Sequence, residues 1–250
     1  MKINDSHINR YVTTSFRDVA DKDYIAARIC YRYGLHHQFL WFAEQAIEKY
    51  LKAILLYNRV DTRKLSHNLR KAYAKVLAIP DIEFDFPDDV REFIEYLDDQ
   101  GKNRYLEHPY YLTDDTGLEL DRAVWSIRRY CEFMRRTRVD SDGVEQCLLG
   151  AAVAHVQSAA ALEHPNKFTL FGGFLEGVLR DKKSELRTQL VWKNFYYGTY
   201  CKQVIYGYPS RTSVGNPIDF MHPEVFEELS TLVQFSPDVK EYFREAPEGR

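Results

Sequence analysis

Apolar residues recur at steps of three and four along most of the chain, the spacing that places them on one side of an α-helix. Strand-like alternation is limited to Ile82, Phe84 and Phe86, where the following Pro87 favours an extended loop. The pattern predicts helices over residues 16–33, 35–57, 66–79, 88–99, 115–137, 150–162, 174–197, 223–233 and 237–245. The sequence therefore predicts an all-α protein.

The helical pattern is interrupted at two places that indicate how the chain is divided. Gly34 stands between the first two helical patterns and predicts a tight turn between antiparallel helices. The polar stretch 139–143 predicts a boundary between an antiparallel helical bundle over residues 16–138 and a helical C-terminal extension over residues 139–250. The role of this extension stays open.

The helix predicted over residues 35–57 has a polar side formed by Gln45, Glu48, Lys49 and Lys52. Glu48 precedes Lys52 by four residues, the favourable order for an ion pair along a helix. This polar side could bind a nucleotide phosphate or a partner subunit. The alternative is a solvated helix surface with local ion pairs.

Composition and charge limit the class of protein and the kinds of binding that are expected, but they do not assign a function. Hydrophobic residues make up 45% of the chain and charged residues 28%, and the net charge is −3, so any contact with phosphates has to be local. The sequence has no apolar run of membrane-spanning length and begins without an apolar signal region. Its four cysteines lie far apart, as in proteins of the reducing cytosol. We expect a cytoplasmic protein with no metal, cofactor or membrane span.

Three segments follow one another in an informative order. They are residues 45–55 (Gln-Ala-Ile-Glu-Lys-Tyr-Leu-Lys-Ala-Ile-Leu), 66–69 (Ser-His-Asn-Leu) and 103–105 (Asn-Arg-Tyr). The first resembles the signature helix of the HEPN family, the higher eukaryote and prokaryote nucleotide-binding domains. The second is similar to the family's His-x-Leu helix start, and the third to its Arg-Tyr pair before the final helix. The resemblance covers roughly residues 16–138.

The resemblance implies an up-and-down bundle of roughly four or five helices, often a homodimer. Members of the family bind nucleotides or RNA, or cleave RNA. Several are encoded with small nucleotidyltransferase partners in toxin–antitoxin or defence systems. RNA or a nucleotide, a second copy of the chain and a nucleotidyltransferase-type protein are therefore the partners that the resemblance implies.

Ribonuclease members of the family place a histidine about four to six residues after an arginine and its polar neighbour. The nearest match here is Arg104 and His108, with a shorter spacer, Tyr105 at the polar position and Pro109 after the histidine. The imidazole would move the proton of a 2′-hydroxyl or leaving oxygen, and the guanidinium would stabilise the phosphate, without a metal. The alternative is an ion-paired Arg104 and a surface His108.

Two other sets of cations are candidates for phosphate binding. His67 follows the predicted N-cap Ser66, at a helix start where free N–H groups attract anions, or it adds a second capping hydrogen bond. Arg122, Arg129 and Arg136 are spaced seven apart and predict one basic stripe on the last bundle helix. That stripe could follow a phosphate backbone or simply complement the helix C-terminus.

These observations support three hypotheses. The preferred one is a HEPN-like protein that binds RNA or a nucleotide through Lys49, Lys52, His67, Arg122, Arg129 and Arg136, in a defence or toxin–antitoxin-type system. The second is a metal-independent endoribonuclease that uses Arg104 and His108. The third is a non-catalytic interaction protein whose C-terminal part, with 11 basic and 15 acidic residues over 139–250, docks a nucleotidyltransferase-type partner.

Overall fold

The computed structural model describes residues 3–100, 110–139, 141–198, 211–214 and 221–245. Its helices are α1 (Ile3–Val12), α2 (Asp18–Arg32), α3 (His36–Tyr57), α4 (Leu69–Leu77), α5 (Asp88–Gln100), α6 (Thr116–Arg128), α7 (Leu149–Val156), α8 (Ala159–Glu163), α9 (Phe174–Arg180), α10 (Glu185–Val191), α11 (Pro223–Ser230) and α12 (Pro237–Glu245). Its strands are β1 (Tyr110–Thr113), β2 (Thr137–Val139), β3 (Glu145–Cys147) and β4 (Arg211–Val214). Helices predominate, which confirms the all-α prediction.

The first two long helices form an antiparallel hairpin around Gly34. This glycine has a φ of 71°, in the left-handed region that glycine adopts without steric cost. The N–H of Leu35 donates to the carbonyl of Cys30 at 2.8 Å, and the N–H of Gly34 donates to that of Tyr31 at 3.2 Å. These bonds form the C-terminal motif that closes helices at a glycine, so the predicted turn is confirmed.

The helix that precedes Gly34 begins earlier than the predicted residue 16. α1 continues into α2 through a π-helix at Thr13–Arg17. The Thr13 hydroxyl lies 2.6 Å from the Tyr57 hydroxyl at the end of α3, which ties this segment to the hairpin. The early start was not predicted because α1 has a largely polar sequence.

The helix predicted over residues 115–137 is shorter in the structure. α6 ends at Arg128, and residues 137–139 pair as strand β2 with β3 in an antiparallel hairpin. Residues 129–136, between α6 and β2, form neither helix nor strand. Within the stretch expected to be a boundary, Val139 ends β2, and residues 141–143 lie between the two strands.

The chain after the hairpin packs on the bundle and shares its core. Leu149, Val156, Leu175, Leu190 and Tyr197 belong to the same cluster of buried apolar side chains as the centre of α3. The single helices predicted over residues 150–162 and 174–197 are each divided, into α7 and α8 and into α9 and α10. Ser158 marks the first division, since its hydroxyl accepts a hydrogen bond from the N–H of Ala161 and caps α8.

The remaining described elements lie further along the chain. β4 pairs antiparallel with β1. α11 and α12 bury Phe226 and Val239 in a small cluster of their own. Within the described residues, no helix combines the length and the apolar character needed to cross a membrane.

Candidate functional site

The polar side of α3 carries a group of ion pairs around Glu48. This carboxylate accepts a hydrogen bond from Lys52 Nζ one turn further along the helix, and its Oε2 lies 2.9 Å from His67 Nδ1. Lys52 Nζ also donates to the carbonyl of Ser66 at 3.1 Å. The predicted ion pair between Glu48 and Lys52 is therefore confirmed, and it ties α3 to the segment before α4.

Lys49 lies beside this group and is paired with α2. Its Nζ lies 2.7 Å from Asp23 Oδ2 and donates to Gln45 Oε1 at 2.9 Å. The side chains of Lys49 and Asp23 are 24% and 18% exposed, so solvent weakens this pair only in part. A phosphate at Lys49 would have to compete with Asp23.

The glutamates on this side of α3 are buried, whereas the neighbouring His67 is exposed. Glu44 and Glu48, one turn apart on α3, are 2% and 4% exposed. The Glu44 carboxylate accepts a hydrogen bond from the Gln45 side-chain amide at 2.7 Å. The side chain of His67 is 55% exposed, and one ligand atom of each of Glu44, Glu48 and His67 lies within 4.8 Å of the other two. The fold thus places two buried carboxylates beneath an exposed imidazole.

The start of α4 differs from the sequence prediction. Ser66 does not cap the helix; it has a φ of 52°, and the N-cap is Asn68, whose side chain accepts a hydrogen bond from the N–H of Lys71 at 2.7 Å. Asp98 of α5 accepts another from the N–H of Leu69 at 2.7 Å. Protein oxygens already bind these two N–H groups, so the start of α4 is not an open anion site. His67 contacts Glu48 instead.

The predicted basic stripe on the last bundle helix does not form. Side chains seven residues apart share a face only while the helix continues, and α6 ends at Arg128, before Arg129 and Arg136. Arg129 is only 2% exposed, whereas Arg136 is 57% exposed and lies 3.5 Å from Glu132. Arg122 forms an ion pair with Asp89.

Arg129 has a structural role that its burial explains. Its guanidinium donates hydrogen bonds to the carbonyls of Asp85, in the extended loop before α5, and of Val156, at the end of α7. The distance to the Val156 oxygen is 3.2 Å. Arg129 therefore joins three segments of the chain and is not available to a ligand.

Sequence reasoning missed a buried ion-pair network around Arg128. Its guanidinium lies 2.7 Å from Asp21 Oδ1 and 2.8 Å from Glu176 Oε2, and Tyr50 donates to Asp21 at 2.6 Å. Burial acts to lower the pKa of Arg128, but Asp21 and Glu176 raise it well above its ordinary value. Burial likewise acts to raise the pKa of Glu176, and the hydrogen bonds from Arg128 lower it instead.

A second network lies two helical turns away. Arg28 of α2 pairs with Asp121 of α6, which also accepts a hydrogen bond from the Tyr24 hydroxyl at 2.6 Å. Asn194 donates to the Tyr24 oxygen at 2.8 Å, and Arg28 donates to the carbonyl of Trp192. Burial, with the charge of Asp121, raises the pKa of Tyr24 well above its ordinary value.

The sequence did contain a signal for both networks. Asp21 and Arg28 stand seven residues apart on α2, and Asp121 and Arg128 stand seven apart on α6. When two helices run antiparallel, this arrangement places each acid opposite an arginine. Charged residues on the apolar side of an amphipathic helix are the feature that could have revealed it.

Arg104 and His108 lie outside the residues that the structure describes. The described chain on either side of them is anchored to two helices of the bundle. Before them, Asp98 binds the first N–H of α4, two residues after His67. After them, the ring of Tyr110 lies 6.2 Å from the ring of His37, in the first turn of α3.

The chain matches the model of one known protein family. The model of the HEPN domain matches residues 14–141 of the chain, more than half of its length. The chain belongs to the HEPN family. The match contains α2 to α6 and therefore both Glu48 and His67. No curated protein and no solved structure matches the chain.

Membership of the HEPN family indicates a function that involves a nucleotide or RNA. The HEPN match ends at residue 141, but residues 149–198 continue the same core and supply partners for its buried arginines. Arg17 of the HEPN domain, for example, donates to the carbonyl of Gly172 at 3.0 Å. In this protein the HEPN helices are thus completed by chain that follows the matched region.

Proposed function

We propose that this HEPN protein binds RNA or a nucleotide phosphate at the surface formed by α3 and the segment before α4. The observation that carries the proposal is the convergence of Lys52 and His67, from different segments of the HEPN domain, on Glu48. Lys49 flanks them, and the half-buried Arg122 and the exposed Arg136 are additional candidate contacts. Arg129 is left out because it is buried.

The hydrogen-bonding capacity of these side chains supports the proposal. A lysine ammonium has three protons, and Lys52 directs bonds to Glu48 and Ser66, which leaves one for a ligand. His67 Nδ1 lies against the Glu48 carboxylate, so Nε2 is the ring nitrogen that remains for a contact with a ligand. Lys52 thus supplies a charge-assisted donor, and His67 a second polar nitrogen beside it.

The wider setting is part of the same proposal. The protein would act in the cytosol as a homodimer, within a defence or toxin–antitoxin-type system and beside a nucleotidyltransferase-type partner. The location follows from the cysteine pattern, and the other elements follow from the family resemblance. Exposed apolar residues on and after α11, such as Val225 and Leu232, with the acidic excess of this part of the chain, offer a surface for a partner protein.

Binding of a labelled single-stranded RNA, measured by fluorescence anisotropy over a range of salt concentrations, tests the surface. Lys52→Gln should weaken binding several-fold at physiological salt, and the slope of log K against log salt should fall by about 1, as expected for one lost phosphate contact. Lys182→Gln, at an exposed lysine between α9 and α10, is the matched control. A folded Lys52→Gln protein with unchanged affinity and salt slope would contradict the proposed surface.

An endoribonuclease that uses Arg104 and His108 is the second candidate. It is favoured by the anchoring of the described chain on both sides of this pair, at the first turn of α3 and at the start of α4, next to the segment that carries His67. The same RNA, incubated with protein in EDTA and run on a gel, distinguishes the two. Cleavage by the wild type but not by His108→Ala supports the nuclease, whereas a shift without cleavage supports binding alone. A protein that does neither, yet co-purifies with a stoichiometric partner, supports an interaction protein.

A further inference from the structure

We propose that Glu44, Glu48 and His67 form a binding site for a divalent transition-metal ion, with Zn²⁺ the best match. Two carboxylates and one imidazole are a donor set that proteins use for such ions. The sequence predicts no metal site, because α3 and the segment before α4 meet only in the folded chain. This inference goes beyond the proposed function and does not depend on it.

The geometry of the three groups suits one small ion. The two glutamates stand four residues apart on α3, so they project from neighbouring turns of one rigid helix. His67 Nδ1 lies 2.9 Å from Glu48 Oε2. An ion bound at about 2.0–2.2 Å from each ligand keeps adjacent ligand atoms roughly 3–3.5 Å apart. One ligand atom from each residue already lies within 4.8 Å of the others, so small side-chain rotations complete the set.

Charge and burial favour a cation over a phosphate between these residues. Glu44 and Glu48 are both acids, and Lys52 pairs with Glu48 through its Oε1 oxygen, while His67 faces its Oε2 oxygen. Both carboxylates are nearly inaccessible, at 2% and 4% exposure, and attraction to a cation is stronger in such surroundings than in water. An anion placed between the two carboxylates would meet repulsion from both, so the phosphate proposed above would lie on the solvent side of Lys52 and His67.

His67 decides both the access to the site and the class of ion. Its side chain is 55% exposed, so an ion can reach the carboxylates from solvent and keep water as a further ligand. An imidazole nitrogen is a good ligand for Zn²⁺, whereas Mg²⁺ prefers oxygen ligands throughout. Zn²⁺ should therefore bind more tightly than Mg²⁺.

Isothermal titration of the full chain with Zn²⁺, and separately with Mg²⁺, tests the site in the absence of RNA. We expect one Zn²⁺ site in the wild type and at least a roughly tenfold loss of affinity in both His67→Ala and Glu48→Gln. His164→Ala, at an exposed histidine after α8, should bind Zn²⁺ as the wild type does. Zn²⁺ should also raise the Tm of the wild type and of His164→Ala, but not that of His67→Ala.

The proposal is overturned if the wild type binds no Zn²⁺, or if a folded His67→Ala protein binds it with unchanged affinity and shows the same rise in Tm. Circular dichroism checks that each variant is folded, and His67→Ala is the safest variant because its side chain is exposed. Since no RNA is present and Lys52 is unchanged in these variants, the titrations test the metal site separately from the phosphate contact proposed for Lys52.

Discussion

Four charged side chains in the interior form two reciprocal ion pairs between α2 and α6. Asp21 binds Arg128, and Arg28 binds Asp121, with exposures of 6% or less. Such pairs add little net stability, because desolvation of the charges offsets their attraction, but loss of one partner leaves a buried charge uncompensated. The two pairs are satisfied together only when α2 and α6 run antiparallel in the observed register.

Substitution of Glu176 of α9 tests the contribution of the buried ion pairs to stability. Glu176→Gln keeps the shape of the side chain but removes the charge beside Arg128, so we expect a loss of about 1–3 kcal/mol in the free energy of unfolding at pH 7. Urea denaturation measures this loss. Glu163→Gln, at an exposed glutamate of α8, should stay within about 0.5 kcal/mol of the wild type.

The difference between wild type and Glu176→Gln should depend on pH in a defined direction. The pKa of Glu176 is lower in the folded protein than in the unfolded chain, where it is about 4.3. Its contribution is therefore fully present above about pH 5 and is lost as the pH falls through the folded pKa. A difference that stays constant or grows below pH 4 would contradict the assignment of Glu176 as an ionised partner of Arg128.

At the scale of elements, the start of α4 shows how a helix end is chosen. The tripeptide Ser66-His67-Asn68 offers two residue types that cap helices well. In the structure Asn68 caps, because Ser66 has a left-handed backbone conformation and its carbonyl accepts a hydrogen bond from Lys52. Asp98 of α5 binds the next free N–H, so the helix start depends on a neighbouring helix.

Paired substitutions separate the two capping candidates. Asn68→Ala should reduce the free energy of unfolding by about 1 kcal/mol, because the N–H of Lys71 loses its acceptor. Ser66→Ala should change it by no more than about 0.5 kcal/mol. Urea denaturation of both variants measures the difference. Equal losses, or a larger loss for Ser66→Ala, would contradict Asn68 as the cap.

At the scale of the whole molecule, the HEPN helices and the chain that follows them form one core. Residues 149–198 bring Glu176 to Arg128 and Asn194 to Tyr24, and they place Leu175 and Leu190 among the buried apolar residues. Without them, Arg128 would lose one carboxylate and Arg28 its bond to the carbonyl of Trp192. We therefore expect that the HEPN domain of this protein does not fold by itself.

Two truncations test this dependence. A chain that ends at residue 141 should lack cooperative unfolding and a near-ultraviolet circular dichroism signal, because it exposes apolar surface and unpaired charge. A chain that ends at residue 220 lacks only the last part of the protein, with α11 and α12, and should keep both properties. Cooperative thermal unfolding of the shorter chain would show that the HEPN helices fold alone.

The sequence by itself determined what depends on neighbouring residues. The helical period, the turn at Gly34 and the ion pair of Glu48 with Lys52 are set within one or two turns of chain, and the structure confirms all three. The family resemblance rests on the same local segments, and the match over residues 14–141 confirms it.

Only the tertiary structure decided which charges are buried and which helix continues. Arg129 looks like a surface cation in sequence, and it is buried because segments around Asp85 and Val156 close over it. The convergence of Glu44, Glu48 and His67 likewise needs the packing of α4 beside α3. Local periodicity sets which side of a helix is apolar, but burial and helix ends depend on distant segments whose contacts no local pattern encodes.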